Sequence, residues 1–313
     1  MTKFERICAE NVPPYAVFVC VILLAFMFLI RAPVVIVSDE MFTTIYGIKR
    51  EHYTEMEMSA RIFRRIKILR MALDAKPEAV AFAVEDASRH PAFVVFPARY
   101  ESAIERYVQD NPKTKCFLIA DSQRTTANIQ GVQIINTNTD IDYYRAGLFT
   151  ALAVKLPTLD LETDTYEHDP NNTVLYMPLA GEDNPLNTAF YKGLRKKTTD
   201  VAVLNYVQDS TDLNRIFKVC VFLNGSMGIL RRNNNFNDKI ITRSWVDPLF
   251  TPPNTIVVFD DSPIVLLPEI AKLRLRKTVD TPIRVPSEIA VLPLRLPDIK
   301  LLPEFSAAIV ARP

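Results

Sequence analysis

The sequence predicts an α/β protein of two lobes, each built on a parallel sheet and joined to the other by crossover segments, behind one N-terminal transmembrane helix. Three observations carry this. The 313 residues, 49% apolar and 23% charged, suffice for two packed domains of about 150 residues each. Beyond Pro33, short β-branched runs alternate with amphipathic helical stretches, the pattern of strands linked by crossover helices. Ahead of them, residues 11–30 carry no charge and residues 16–30 (AVFVCVILLAFMFLI) are apolar throughout, against the ~20 residues that a membrane-spanning helix needs.

A cleaved signal peptide and a buried core helix are the other readings of such a stretch. Cleavage wants small residues after the apolar region, whereas Ile30, Arg31, Ala32 and Pro33 follow here; a proline at the first mature position blocks processing. Cys20 is preceded by bulky Val17, Phe18 and Val19, which disfavours lipid attachment. An uncleaved anchor over residues 1–31 is expected. Lys3 and Arg6 precede the span and only Arg31 follows closely, so the N-terminus is expected in the cytoplasm and the bulk of the chain on the outer side of the inner membrane. Residues 1–31 hold three basic and two acidic side chains out of 37 and 36, which leaves 34 of each beyond them. That neutral part has no net field to draw it to nucleic acid.

In chain order, residues 34–37 read as a strand ending in Ser38, Asp39 and Glu40. Residues of about 53–73 read as one long helix, with Ile62, Phe63, Ile66, Leu69 and Leu73 on an apolar face. Arg61, Arg64, Arg65, Lys67 and Arg70 make it basic, either as a solvated face or as a membrane-surface one. Residues 93–96 form a buried strand. Pro97 opens a helix marked by Tyr100, Ile104 and Val108, Asn111 and Pro112 stop it, and residues 116–120 are the next, parallel strand. A strand at 133–136 runs into Thr137, Asn138, Thr139 and Asp140, and a helix over about 143–156 follows.

The second series begins after an acidic loop at 160–172. Residues 174–177 form a strand; Asn184 caps a helix with Pro185 at its first position and Leu186, Phe190 and Leu194 as its stripe. Strands at 201–206, 218–223, 240–245 and 255–259 complete the series, the last ending in Asp260 and Asp261. Residues 282–313 contain six prolines and suit edge strands and crossovers. The expected division is an anchor at 1–31, a first lobe at 32–140 completed by about 255–280, and a second at 141–254 completed by about 281–313. Cys116 and Cys220 read as buried strand thiols in different lobes.

Seven glycines against 22 prolines leave little for phosphate cradles, and no G-x-G-x-x-G, G-x-x-x-x-G-K-[ST] or G-x-S-x-G occurs. His52, His90 and His168 have no partners at metal-ligand spacing. The acidic loop alternates like a calcium loop from Asp160, but Thr165 and Asn171 stand at its sixth and twelfth positions. No catalytic residue, metal or cofactor is expected. In open α/β sheets ligands bind outside the carboxyl ends of the strands. The polar residues there include Ser38, Ser122, Ser226 and Asp261, and the candidate ligand contacts among them are Asp39, Asp121, Asn138, Asp183, Asn224 and Asp260. The same residue types cap helices, which is the competing reading of each.

Residues 93–122 (FVVFPARYESAIERYVQDNPKTKCFLIADS) resemble the strand, helix and Asp-terminated strand of the basic membrane protein family of transporter solute-binding proteins, which includes purine nucleoside receptors. Residues 134–152, with Arg145, Ala146 and Gly147, resemble that family's first crossing; residues 174–197 resemble its second lobe, with Phe190 and Gly193 as an F-x-x-G. The resemblance implies the type I periplasmic binding-protein fold with two Rossmann-like lobes, a small polar, nucleoside-like ligand in the interlobe cleft, and an ABC permease as partner. It implies strand-end contacts from Asp39, Asp121 and Asp260 and a crossing contact from Asn138. The loop SDEMFTTIYG departs from the family, having no glycine before Gly47 and no Phe-Asn pair, and there is no lipobox. A sensor or protein-interaction ectodomain of the same fold, without a small-molecule site, and an anchored glycosyl-transferase-like enzyme stand as the alternatives.

Overall fold

Unbroken apolar sequence with no helix breaker after Pro14 gives helix α1 (Pro14–Ile30), whose side chains from Val17 to Ile30 are mostly exposed. The structure, a computed structural model, describes residues 14–39, 55–72, 74–120, 129–137, 139–156, 158–160, 165–167, 173–179, 184–198, 200–205, 217–223, 239–243, 254–261, 263–279, 281–292 and 302–313. Among them no helix is long and apolar enough to cross a membrane; α1 has 17 residues.

The chain then runs through β1 (Val34–Asp39), α2 (Glu55–Ile62), β2 (Ile66–Met71), α3 (Pro77–Ala87), β3 (Phe93–Pro97), α4 (Glu101–Asp110), β4 (Cys116–Ala120) and β5 (Val132–Asn136). It continues through α5 (Asp140–Ala153), the hairpin β6 (Thr158–Asp160) and β7 (Thr165–Glu167), β8 (Thr173–Tyr176), α6 (Pro185–Lys197), β9 (Ala202–Asn205), β10 (Val219–Phe222), β11 (Lys239–Arg243) and β12 (Thr255–Asp260). It closes with α7 (Pro263–Leu273), β13 (Ile283–Arg284), β14 (Glu288–Val291) and α8 (Leu302–Ile309).

Two six-stranded sheets result, ordered β13-β5-β4-β3-β1-β2 and β14-β12-β11-β10-β8-β9. With the C-terminal strand set aside, each reads 2-1-3-4-5 within its own half of the chain, the doubly wound order. All neighbours are parallel except β14, which runs antiparallel to β12. Period-two side chains divide the first sheet between two cores. Val34, Ile36, Phe93, Val95 and Phe117 pack with Met58 of α2 and Leu267 and Ile270 of α7. Val35, Val37, Val94, Phe96 and Leu118 pack with Val80 of α3 and Ile104 and Tyr107 of α4. On the second sheet Val174, Val221, Ile241, Val257 and Phe259 face α5, α6 and α8.

The long helix expected at 53–73 is not formed. Its apolar spacing also serves a strand, and pairing of Val34 with Ile66 through to Asp39 with Met71 draws residues 66–71 into the sheet as an edge strand. Its exposed Lys67 and Arg70 are residues that guard an open edge. Helix α2 ends instead in a Schellman turn: Arg64 N donates to Ser59 O and Phe63 N to Ala60 O. Phe63 takes the left-handed position, φ 49°, where glycine is usual. The tail supplies two edge strands as expected, but residues 302–309 form a helix that buries Phe305 against α5.

Candidate functional site

Strand direction alone brings the three crossings to one place. The chain leaves β5 at its carboxyl end for α5, leaves β12 at its carboxyl end for α7, and leaves β13 at its carboxyl end for β14. Because β13 is parallel to β5 and β14 antiparallel to β12, the third crossing also links the carboxyl edges of the two sheets. Those edges are where a doubly wound sheet takes its ligand.

A buried polar knot ties the crossings together. Arg243, the last residue of β11, is fully buried. Its Nη1 donates to Ser287 Oγ at 2.7 Å and to Thr137 O at 3.3 Å, and its Nε donates to Leu223 O at 3.3 Å. The same Nη1 lies 3.6 Å from Asp142 Oδ2 and 3.5 Å from Asp261 Oδ2. Thr137 donates to Asp261 at 2.8 Å, while Ser287 donates to Asp142 through its backbone N and, at 3.0 Å, through its hydroxyl. Thr137 and Asp142 flank the first crossing, Asp261 lies in the second and Ser287 in the third, so one guanidinium holds all three.

One guanidinium faces two buried carboxylates, and the electrostatics follow from that. Burial pushes the Asp142 carboxyl up to about 6, with Arg243 and the Ser287 donors offsetting only part of the cost and Asp261 adding to it. Burial by itself would lower the Arg243 guanidinium, but Asp261 and Asp142 outweigh it and hold it charged above its ordinary range.

Further contacts fix the elements around the knot. Thr139 caps α5 by accepting from Asp142 N at 3.2 Å. Helices α5 and α6 touch backbone to backbone through Gly147 and Gly193: a Cβ on Gly193 would sit 2.0 Å from Tyr144 O, and one on Gly147 would sit 2.1 Å from Phe190 O. After β8, Asn187 of α6 pins the chain, accepting from Tyr176 Oη at 2.8 Å and Leu179 N at 3.0 Å while donating to Leu179 O at 3.0 Å. Tyr176 stacks on Phe190 at 3.9 Å between ring centroids. Asn184 caps α6 by accepting from Leu186 N, as its sequence suggests.

Of the expected contacts, Asp260 ends β12 and is buried beside the knot. Asp39 ends β1, and nothing beyond its backbone is described. Asp121, Asn138, Asp183 and Asn224 lie outside the described residues. Asp261 is one of the strand-end positions legible in the sequence. Arg243, Asp142 and Ser287 are not, although a lone arginine closing the run Ile240-Ile241-Thr242 is a signal in itself. Cys116 and Cys220 are buried, one in each sheet. Among the described residues no group of three metal-ligating side chains occurs.

No family model matches the chain, and no curated protein matches it in sequence. Solved structures do resemble it. An ABC transporter, LacI family transcriptional regulator from Brachyspira murdochii is 10% identical over 90% of this chain and 99% of its own, with a TM-score of 0.44. An ABC transporter solute-binding protein from Conexibacter woesei is 12% identical over 90% and 98%, TM-score 0.41. A sugar transporter from Clostridium phytofermentans is 14% identical over 83% and 98%, TM-score 0.39.

Proposed function

We propose that this chain is a membrane-anchored, two-lobed ligand-binding domain of the type I periplasmic binding-protein kind, which takes a small polar ligand, nucleoside-like or sugar-like, between the carboxyl edges of its sheets. The observation that carries the reading is the knot. Three crossings held by Arg243 give two rigid lobes one shared pivot, the requirement for closure about a ligand by a hinge. Asp39, Asp121, Asn138, Asp183, Asn224 and Asp260 are the proposed contacts, and an ABC permease is the proposed partner.

The anchor is part of the proposal. Helix α1 spans about 25 Å at 1.5 Å per residue, against a hydrocarbon core of ~30 Å, and its exposed Phe18, Ile22, Phe26 and Leu29 suit lipid better than water. Residues 11–13 add uncharged sequence ahead of it. The reading puts the lobes outside the inner membrane; protection of the C-terminal mass in intact spheroplasts treated with protease would refute that orientation. Ligand binding is tested by thermal shift of the full chain in detergent against nucleosides, pentoses, hexoses and amino acids. A ligand at 100 times its Kd adds ~2.7 kcal/mol of stability. No shift across these classes overturns the ligand-binding reading in favour of an interaction domain of the same fold.

A further inference from the structure

Where α1 meets the first lobe, an apolar groove of about 940 Å³ opens between them, the upper end of the size of ligand pockets. Leu24, Phe28 and Leu29 line it from the helix and Ala60, Phe63 and Ile66 from the lobe. Leu24 and Leu29 remain more than half exposed, at 52% and 59%, so the lobe does not fill the space it frames. The floor is fixed by Phe63, whose left-handed backbone sets its ring 5.7 Å from Phe28 and beneath the Arg31 guanidinium at 4.9 Å.

The rim of the groove is basic. Arg65 and Lys67 line it; Arg31 donates to Phe63 O, Arg64 to Ala32 O and Arg65 to Arg31 O, all backbone carbonyls, and Lys67 Nζ donates to Ala87 O. Burial, with Arg274 and Arg31 close by, lowers the Arg64 guanidinium, and its Nε is buried without a partner. Among the described residues, none of Arg31, Arg64, Arg65, Lys67 and Arg274 makes an ion pair. Arg31, Arg64, Arg65 and Lys67 thus gather where the apolar helix meets the lobe, and among the described residues no carboxylate pairs with them.

We infer that this groove is a binding site for one anionic phospholipid, an acyl chain lying along Leu24, Phe28, Ala60 and Ile66 and the phosphate held by Arg31, Arg64 and Arg65. An apolar slot with an uncompensated cationic mouth matches that one ligand in both halves: a neutral lipid leaves the arginines unanswered, and a soluble phosphate leaves the slot empty. The inference rests on the anchor reading above, which brings the mouth of the groove to headgroup level.

The test uses the full chain in neutral detergent, titrated with phosphatidylglycerol or phosphatidylcholine and followed by native mass spectrometry. One phosphatidylglycerol is expected to be retained, with at least a tenfold preference over phosphatidylcholine. Each basic side chain near an anionic surface adds about fivefold, so Arg31→Gln with Arg65→Gln removes most of the preference at an unchanged melting temperature. Ala60→Phe, which fills the slot from an exposed position, weakens retention of both lipids. Equal retention of the two lipids by the unaltered chain, or a preference that survives the double arginine variant, overturns the inference. So does displacement of phosphatidylglycerol by glycerol 3-phosphate at equal concentration, which assigns the cations to a free phosphate. Carbonate extraction separates the two readings: a chain released from membranes overturns the anchor and this inference together, whereas a carbonate-resistant chain without lipid preference overturns this inference alone.

Discussion

Replacing Gly193 by alanine tests the contact between α5 and α6 on which the crossings lean. A Cβ at that position would stand 2.0 Å from Tyr144 O, 2.9 Å from Tyr144 C and 3.2 Å from Leu148 N. The obstacles are backbone atoms in the middle of a helix, so no side-chain rotation relieves them. To bring the closest contact even to 3.0 Å the helices must part by about 1 Å, and gaps of that size forfeit a quarter to a half of the dispersion energy at each neighbouring contact. Overpacking typically costs about 1–3 kcal/mol. A contact closed by backbone on both sides belongs at or above the top of that range, and the gain in helix propensity, about 1 kcal/mol, offsets only part. The expected net loss is about 3 kcal/mol, or a fall in Tm of about 5 °C for a chain of 313 residues with an unfolding entropy of ~2.1 cal/mol/K per residue, measured by circular dichroism on the full chain in detergent. Gly147→Ala meets Phe190 O at 2.1 Å across the same gap. The double variant is therefore expected to cost less than the sum of the singles, since helices already parted accept the second methyl. A Gly193→Ala protein within about 0.5 kcal/mol of the original, the spread of neutral surface changes, would refute the backbone contact.

The remaining predictions concern the knot and the segment after β8. Arg243→Met leaves Asp142 and Asp261 as uncompensated buried carboxylates and is expected to cost about 3–5 kcal/mol in urea unfolding; adding Asp142→Asn and Asp261→Asn should restore part of that, and no restoration would sink the electrostatic account. The Asp142 carboxyl, raised from 3.8 to about 6, binds a proton more readily in the folded than in the unfolded chain. Its contribution to stability is therefore full below about pH 4 and falls by about 3 kcal/mol as pH rises through 6; Asp142→Asn should flatten this part of the pH–stability curve, and an unaltered slope would count against the assignment. Asn187→Leu keeps the volume but removes three hydrogen bonds to Tyr176 and Leu179. A loss of about 2–3 kcal/mol follows if those groups stay buried and unanswered, with hydrogen exchange rising at Leu179 as the local readout.

The alternation of strands and helices is legible because both lobes are locally consistent. Phe93 to Phe96 and Cys116 to Ala120 are too apolar to lie anywhere but inside a sheet, and Asn184 with Pro185 announces the start of α6. Gly147 and Gly193 carry the family resemblance as sequence signatures, yet their physical role, a contact between two helix backbones, belongs to the pair and is invisible in either segment alone. Residues 62–73 mislead for a definite reason. Ile62, Ile66, Leu69 and Leu73 satisfy a helical period, and only the partner strand, with Val34 opposite Ile66, decides for β2. The knot is harder still. Arg243, Asp142, Asp261 and Ser287 come from four segments, Asp142 lying more than a hundred residues from each of the other three, and no spacing rule links them. Asp260 and Asp261 are approachable because the end of a strand is a place with meaning in a doubly wound sheet; which of the two turns toward Arg243 is settled by packing.

The late strands give the chain an order of assembly. Strand β5 ends at Asn136, but the strand that covers its open edge begins at Ile283. At about 5–20 residues per second of synthesis, that edge waits roughly 7–30 s for its partner, and β12 waits for β14. Until then neither sheet has its full complement, and each offers a row of free amides and carbonyls to any other chain. A protein built this way cannot finish either sheet before most of its sequence has emerged. Loss of the segment from Ile283 onward should therefore show itself first as aggregation of the nascent chain, ahead of any change in what the mature protein binds.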